Sequence, residues 1–74
     1  MSAKRAPMYL HLHLALHVKD RRSELGISQE ELAARSGLHR TYIGGIERAE
    51  RNVSLATLEM IAEGLDILPS ELLR

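Results

Sequence analysis

Arg40, Thr41 and Tyr42 stand in an unbroken row, and Gly44 and Gly45 follow them one helical turn later. A guanidinium offers a planar fork of donors, threonine a hydroxyl and a methyl, tyrosine a phenol. This is the chemistry of recognition. Forked donors grip a guanine edge, hydroxyls meet bases or phosphates, and a methyl packs on the thymine methyl. Gln29 and Arg35 precede the row, and Arg48, Arg51 and Asn52 follow it; each can hold a phosphate oxygen. Serines, histidines and acids occur at no spacing that identifies a nucleophile and its base, so no enzyme activity is expected. His13 and His17, four positions apart, would share a helix face. Two imidazoles do not complete a zinc site, and with no cysteine in the chain neither a metal nor a cofactor is expected. A structural or surface role for the histidines follows.

The elements that must position the row are helices. Ser28 caps the start of one helix over residues 29–35, with Glu31 three residues on in a capping-box pattern. Ser36-Gly37-Leu38 breaks it, and Gly37 suits the positive φ of a tight exit. A second short helix covers residues 40–48. Together they read as a helix-turn-helix, with Ala33 as the small residue at the crossing and Ile43 and Ile46 as the buried ridge. Leu32 and Leu38 close the core between them. Before this unit, residues 8–25 contain neither Gly nor Pro until the chain reaches Gly26, and they read as a helix. Leu10, Leu14, Val18 and Leu25 form its stripe, with Ala15 beside them. Leu12 and Leu16 lie off that stripe and either widen it or meet a partner. After the unit, Ser54 caps a helix through Gly64 with Leu55, Leu58, Ile61 and Ala62 on its apolar face, and Pro69 opens a last helical turn through Leu73. Residues 1–7 read as a flexible arm, and residues 8–74 as one all-α domain.

Length and composition narrow the class. A chain of 74 residues, 45% apolar, supports one small core and no second domain. No apolar run approaches a membrane span, and no signal peptide is read, so a cytoplasmic protein is expected. The net charge is zero, but it is unevenly spread. Residues 1–22 carry five basic groups and one acidic, and residues 53–74 one basic and four acidic. One end of such a chain attracts phosphate and the other repels it. Ile67, Leu68, Leu72 and Leu73 exceed what a tiny core needs and are expected to form a dimer interface.

The run from Arg22 to Leu73, including Leu25-Gly26-Ile27-Ser28-Gln29-Glu30-Glu31-Leu32-Ala33, resembles the lambda-repressor/Cro-like helix-turn-helix family. Arg40-Thr41-Tyr42-Ile43-Gly44-Gly45-Ile46-Glu47-Arg48 and Arg51-Asn52-Val53-Ser54-Leu55 are similar to the controller proteins of restriction–modification systems. The resemblance implies a five-helix, dimeric transcriptional regulator that binds a pseudo-palindromic operator in double-stranded DNA. It would control its own gene and an endonuclease gene, touching RNA polymerase as well as blocking it. A phage-type repressor or an antitoxin-like autoregulator is the neighbouring alternative. A protein-interaction domain that kept the fold and lost DNA binding is the alternative from another class. On this resemblance Arg40, Thr41, Tyr42, Arg51 and Asn52 bind DNA, while Arg22 and Glu47 form a partly buried structural ion pair. By residue type and placement, Arg40, Thr41, Tyr42 and Gly45 are expected at the bases, and Gln29, Arg35, Arg48, Arg51 and Asn52 at the backbone. His39 departs from the family, which prefers Ser, Asp or Thr as cap of the second helix; a histidine caps less well and, protonated, would favour a nearby phosphate.

Overall fold

The computed structural model describes the backbone of residues 6–74 and the side chains of residues 10–74. Four α-helices follow in order: α1 (Ala6–Leu25), α2 (Gln29–Ser36), α3 (Arg40–Glu47) and α4 (Leu55–Leu65). The expected fifth helix is a single 3-10 turn, Pro69–Leu72. Helix α1 begins at Ala6, so Pro7 sits in its first turn, where a missing N–H costs nothing. Of the expected flexible arm, residues 1–5 lie outside the described residues.

Each α-helix ends the same way. A residue of positive φ follows the last turn, and the next N–H reaches back to the carbonyl five residues earlier. Gly26 and Gly37 take this position after α1 and α2, Ala49 and Asp66 after α3 and α4. The closing bonds are Ile27 to Arg22, Leu38 to Ala33, Glu50 to Gly45 and Ile67 to Ala62, at 2.9–3.1 Å. Helix starts are less uniform. Ser28 and Ser54 accept from the N–H groups of Glu31 and Thr57, while His39 makes no side-chain cap bond.

The core is small and wholly aliphatic. Val18, Leu32, Ile43, Ile46, Ile61, Leu65 and Leu72 are fully buried, each contributing roughly 1.5–3 kcal/mol of hydrophobic stabilisation. Leu72 corrects an expectation: the 3-10 turn drives it inward, against α1 and α4, so it belongs to the monomer core and not to an exposed interface. Ile67 and Leu73 are half-buried against the same core, and Leu68 is 66% exposed. Leu55 corrects another: it is 80% exposed because it lies in the first turn of α4, beyond the elements that cover Leu58. On α1, Leu14, Ala15 and Val18 are buried, whereas Leu10, Leu12 and Leu16 face solvent.

The C-terminal segment is held by a polar ladder on α1. His13, His17 and Arg21 succeed one another at four-residue steps and so share a face. His13 Nδ1 donates to the Arg74 carbonyl at 2.7 Å, His17 Nδ1 to the Leu72 carbonyl at 3.1 Å, and Arg21 Nε to the Leu65 carbonyl at 2.9 Å. A main-chain oxygen only accepts, so each Nδ1 bears a proton in these bonds. The histidine pair therefore holds the segment after the 3-10 turn against α1.

Candidate nucleic-acid interface

Helix α3 stands on a ridge of Ile43 and Ile46, which the chain buries against α1 and α2. A helix of eight residues anchored on one side presents the other side outward. Arg40 and Thr41 occupy that outer side and are exposed, and Tyr42 is half-buried at its edge. Gly37, at φ 72°, makes the sharp exit from α2 that delivers the chain to this position.

The loop after α3 folds back onto the row. Tyr42 Oη donates to the Asn52 carbonyl at 3.2 Å, and the Arg51 guanidinium lies over the Tyr42 ring, 5.4 Å from its centre. Thr41, Tyr42, Arg51 and Asn52 thus gather beside the start of α3, although Tyr42 and Asn52 are ten positions apart, while Arg40 points toward Glu30 of α2. An open depression beside them is lined by Leu38, His39, Thr41, Tyr42, Arg51 and Thr57. Thr57 was not foreseen as a neighbour of the row. It comes from α4, and its residue type carries no signal of that placement.

Several expected contacts fall elsewhere. Gly45, expected at a base, is buried beneath the Arg51 side chain. Gln29 is half-buried at the start of α2 and its amide donates to Glu47 Oε1 at 2.9 Å. Arg35 is held by Glu31 at 3.2 Å. Glu30, which faces Arg40, lies about 140° round α2 from Arg35, so Arg35 is not on the surface of the row. Arg48 is exposed at the end of α3, where its Nε meets Glu50 at 3.0 Å.

Beneath the row lies the ion pair that fixes α3 on α1. Arg22 grips Glu47 with Nε to Oε2 at 2.8 Å and Nη2 to Oε1 at 3.0 Å, and its Nη1 donates to the Ile27 carbonyl at 2.9 Å. Burial pushes the Glu47 carboxyl up, but hydrogen bonds from Arg22 and Gln29 outweigh it and hold the group below its ordinary value. The bond to Glu47 raises the Arg22 guanidinium in turn. Four acidic groups gather on another side of the domain. Glu59, Glu63, Asp66 and Glu71 line a second depression toward the C-terminal end of α4, whereas Thr57, by the row, lies in its first turn. No helix among the described residues is long and apolar enough to cross a membrane.

The helix-turn-helix family profile matches residues 18–72. The chain belongs to the helix-turn-helix family. Within it, the chain is similar to control protein C.SmaI of Serratia marcescens, 52% identical over 60 residues that make up 81% of this chain and 71% of that protein. The restriction–modification controller protein C.AhdI of Aeromonas hydrophila has a crystal structure that superposes with a TM-score of 0.81 at 45% identity, over 84% of this chain and 94% of that one. Another controller, C.Esp1396I, was crystallised as a tetramer in complex with its natural 35 base-pair operator; it matches with a TM-score of 0.79 and 41% identity, over 85% of this chain and 83% of that one. This helix-turn-helix protein is thus similar to the controllers in both sequence and fold.

Proposed function

We propose that this chain is a DNA-binding transcriptional regulator of a restriction–modification system, working as a symmetric pair on a pseudo-palindromic operator. The observation that carries this reading is the exposed Arg40 and Thr41 at the start of α3, with Tyr42, Arg51 and Asn52 gathered beside Thr41, in a chain so similar to controllers. The N-terminal end of the second helix enters the major groove in this motif. Arg40 is placed to fork onto a guanine, and Thr41 to reach the next base. Arg48, Arg51 and Asn52 reach the phosphates on either side.

One helix reads only a few base pairs, and two-fold pairing doubles the site. The apolar surface for that pairing is centred on Leu55, which lines a groove with Leu10, Val53, Leu58 and Leu73. A second copy of this chain is its occupant, as the tetrameric assembly of C.Esp1396I supports. An operator upstream of its own gene and of an endonuclease gene, and contact with RNA polymerase, complete the reading by analogy with controllers.

The test is selection from a pool of randomised duplexes, followed by affinity measurement at several salt concentrations. Expected is a palindromic consensus with half-sites about one turn apart, bound with an affinity that falls steeply as salt rises. A folded protein that enriches no palindrome over random duplex at low salt refutes the proposal.

A further inference from the structure

Two glycines in succession inside an eight-residue helix work against helix formation, since glycine is the poorest helix former short of proline. Their surroundings differ. A Cβ on Gly44 would come 3.2 Å from Nη1 of Arg48, the free tip of a long exposed side chain. A Cβ on Gly45 would come 2.8 Å from Cγ of Arg51, 3.1 Å from Nε and 3.5 Å from Cδ, and these are its three nearest atoms. A clash at Cγ is near the root of the side chain. It is relieved only by swinging the whole arginine aside. Close helix crossing does not account for Gly45, because the atoms it makes room for belong to one loop side chain.

That side chain is the one stacked on Tyr42. Arg51 crosses the gap left at Gly45 and ends with its guanidinium 5.4 Å from the ring centre, while Tyr42 Oη donates to the carbonyl of the adjoining Asn52 at 3.2 Å. Gly45, Arg51, Tyr42 and Asn52 close a circuit between α3 and the loop that follows it. We infer that Gly45 is a positioning residue for recognition: its missing side chain forms the slot that fixes Arg51 over Tyr42, so that the guanidinium is aimed before DNA arrives. This rests on the DNA-binding reading above and deepens it. An arginine already held in one direction loses less rotamer freedom when it meets a phosphate or a base edge, and that difference appears as affinity.

The experiment compares Gly45→Ala, Arg51→Ala and the double variant, using as probe the palindromic duplex that the unmodified protein selects from a randomised pool. Gly45→Ala is expected to keep helicity and thermal midpoint, since alanine is the better helix former, and to bind about tenfold more weakly, the loss of one well-placed contact. In the Arg51→Ala background the same change is expected to alter affinity less than twofold. Equal weakening in both backgrounds would mean that Gly45 admits the DNA directly, and overturns the inference; so does unchanged affinity in Gly45→Ala, or a lowered midpoint. A DNA-free measurement separates this from failure of the regulator reading. The Arg51 side-chain protons are expected to show an upfield ring-current shift by NMR in the unmodified protein and to lose it in Gly45→Ala. No shift in the unmodified protein, or one that survives the substitution, also overturns it, whether or not any palindrome is selected.

Discussion

Arg22 and Glu47 meet in a two-pronged ion pair across 25 positions of sequence, and Gln29 completes it from the start of α2. One carboxylate thereby joins α1, α2 and α3. Glu47 keeps only 4% of its side-chain surface in contact with solvent and Arg22 21%, so the partner left behind by a truncation would stay largely desolvated. Glu47→Ala is expected to cost about 3–5 kcal/mol in urea unfolding.

The same pair sets a direction for acid sensitivity. Glu47 is held below its ordinary value of 4.5, so its contribution is complete above that pH and is lost as pH falls through the lower folded value. Urea midpoints measured from pH 7 down to pH 3 should decline at the acid end in the unmodified protein and decline less in Glu47→Gln. An identical acid loss in both proteins would show that other carboxylates carry it.

Gly64 of α4 packs directly against Ser36 of α2. A Cβ on Gly64 would collide with Ser36 Oγ and come 3.1 Å from Leu32 Cδ1. Ser36 Oγ is itself buried, with no hydrogen-bond partner among the described residues. Overpacking costs about 1–3 kcal/mol and exceeds the helix-propensity gain of roughly 1 kcal/mol, so Gly64→Ala should destabilise. Ser36→Ala removes both the obstacle and an unsatisfied hydroxyl, and should be neutral or stabilising. The two changes together should therefore be better tolerated than their separate effects suggest, by at least ~0.5 kcal/mol in a double-mutant cycle. Strict additivity would contradict the contact.

Ala49 closes α3 at φ 61°, in the place that glycine fills after α1 and α2. A left-handed alanine costs roughly 1–2 kcal/mol, partly offset by the greater freedom glycine has in the unfolded chain. Ala49→Gly is expected to raise stability by about 0.5–1 kcal/mol, seen as a higher urea midpoint at unchanged slope. A lower midpoint would mean that the methyl group makes a packing contact worth more than the strain.

What could be read from the chain alone follows the range of the interaction. Ser28, Gly37 and Ser54 act on backbone groups within a few residues of themselves, and the turns they were expected to make are the turns observed. Ile43 and Ile46 face inward because helical periodicity requires it. What the chain alone did not disclose is tertiary neighbours. Leu72 and Leu55 are the same residue type, and only the covering element decides that one is buried and the other 80% exposed. Gly45 was expected to meet a base, and Arg51, which covers it, sits in the next loop. Gln29 looked free at a helix start until α3 brought Glu47 beside it. The His13–His17 spacing signalled a shared face but not the main-chain oxygens it would meet, because a backbone acceptor has no residue signature.

Arg40 and Arg48 separate the two kinds of contact expected of α3. Arg40, 60% exposed and 4.0 Å from Glu30, projects from the helix start where base edges are reached; Arg48, equally exposed, projects from the helix end beside Glu50. A forked contact to guanine discriminates by about 1–3 kcal/mol at one base pair. Arg40→Ala should therefore weaken the selected palindrome and relax preference at a single symmetric position. Arg48→Ala should weaken all duplexes alike and lower the slope of log affinity against log salt by about one per subunit, as loss of a phosphate contact does. Competition assays with single-position variants of the palindrome distinguish them. Relaxed preference in Arg48→Ala with none in Arg40→Ala would mean that α3 enters the groove by its other end.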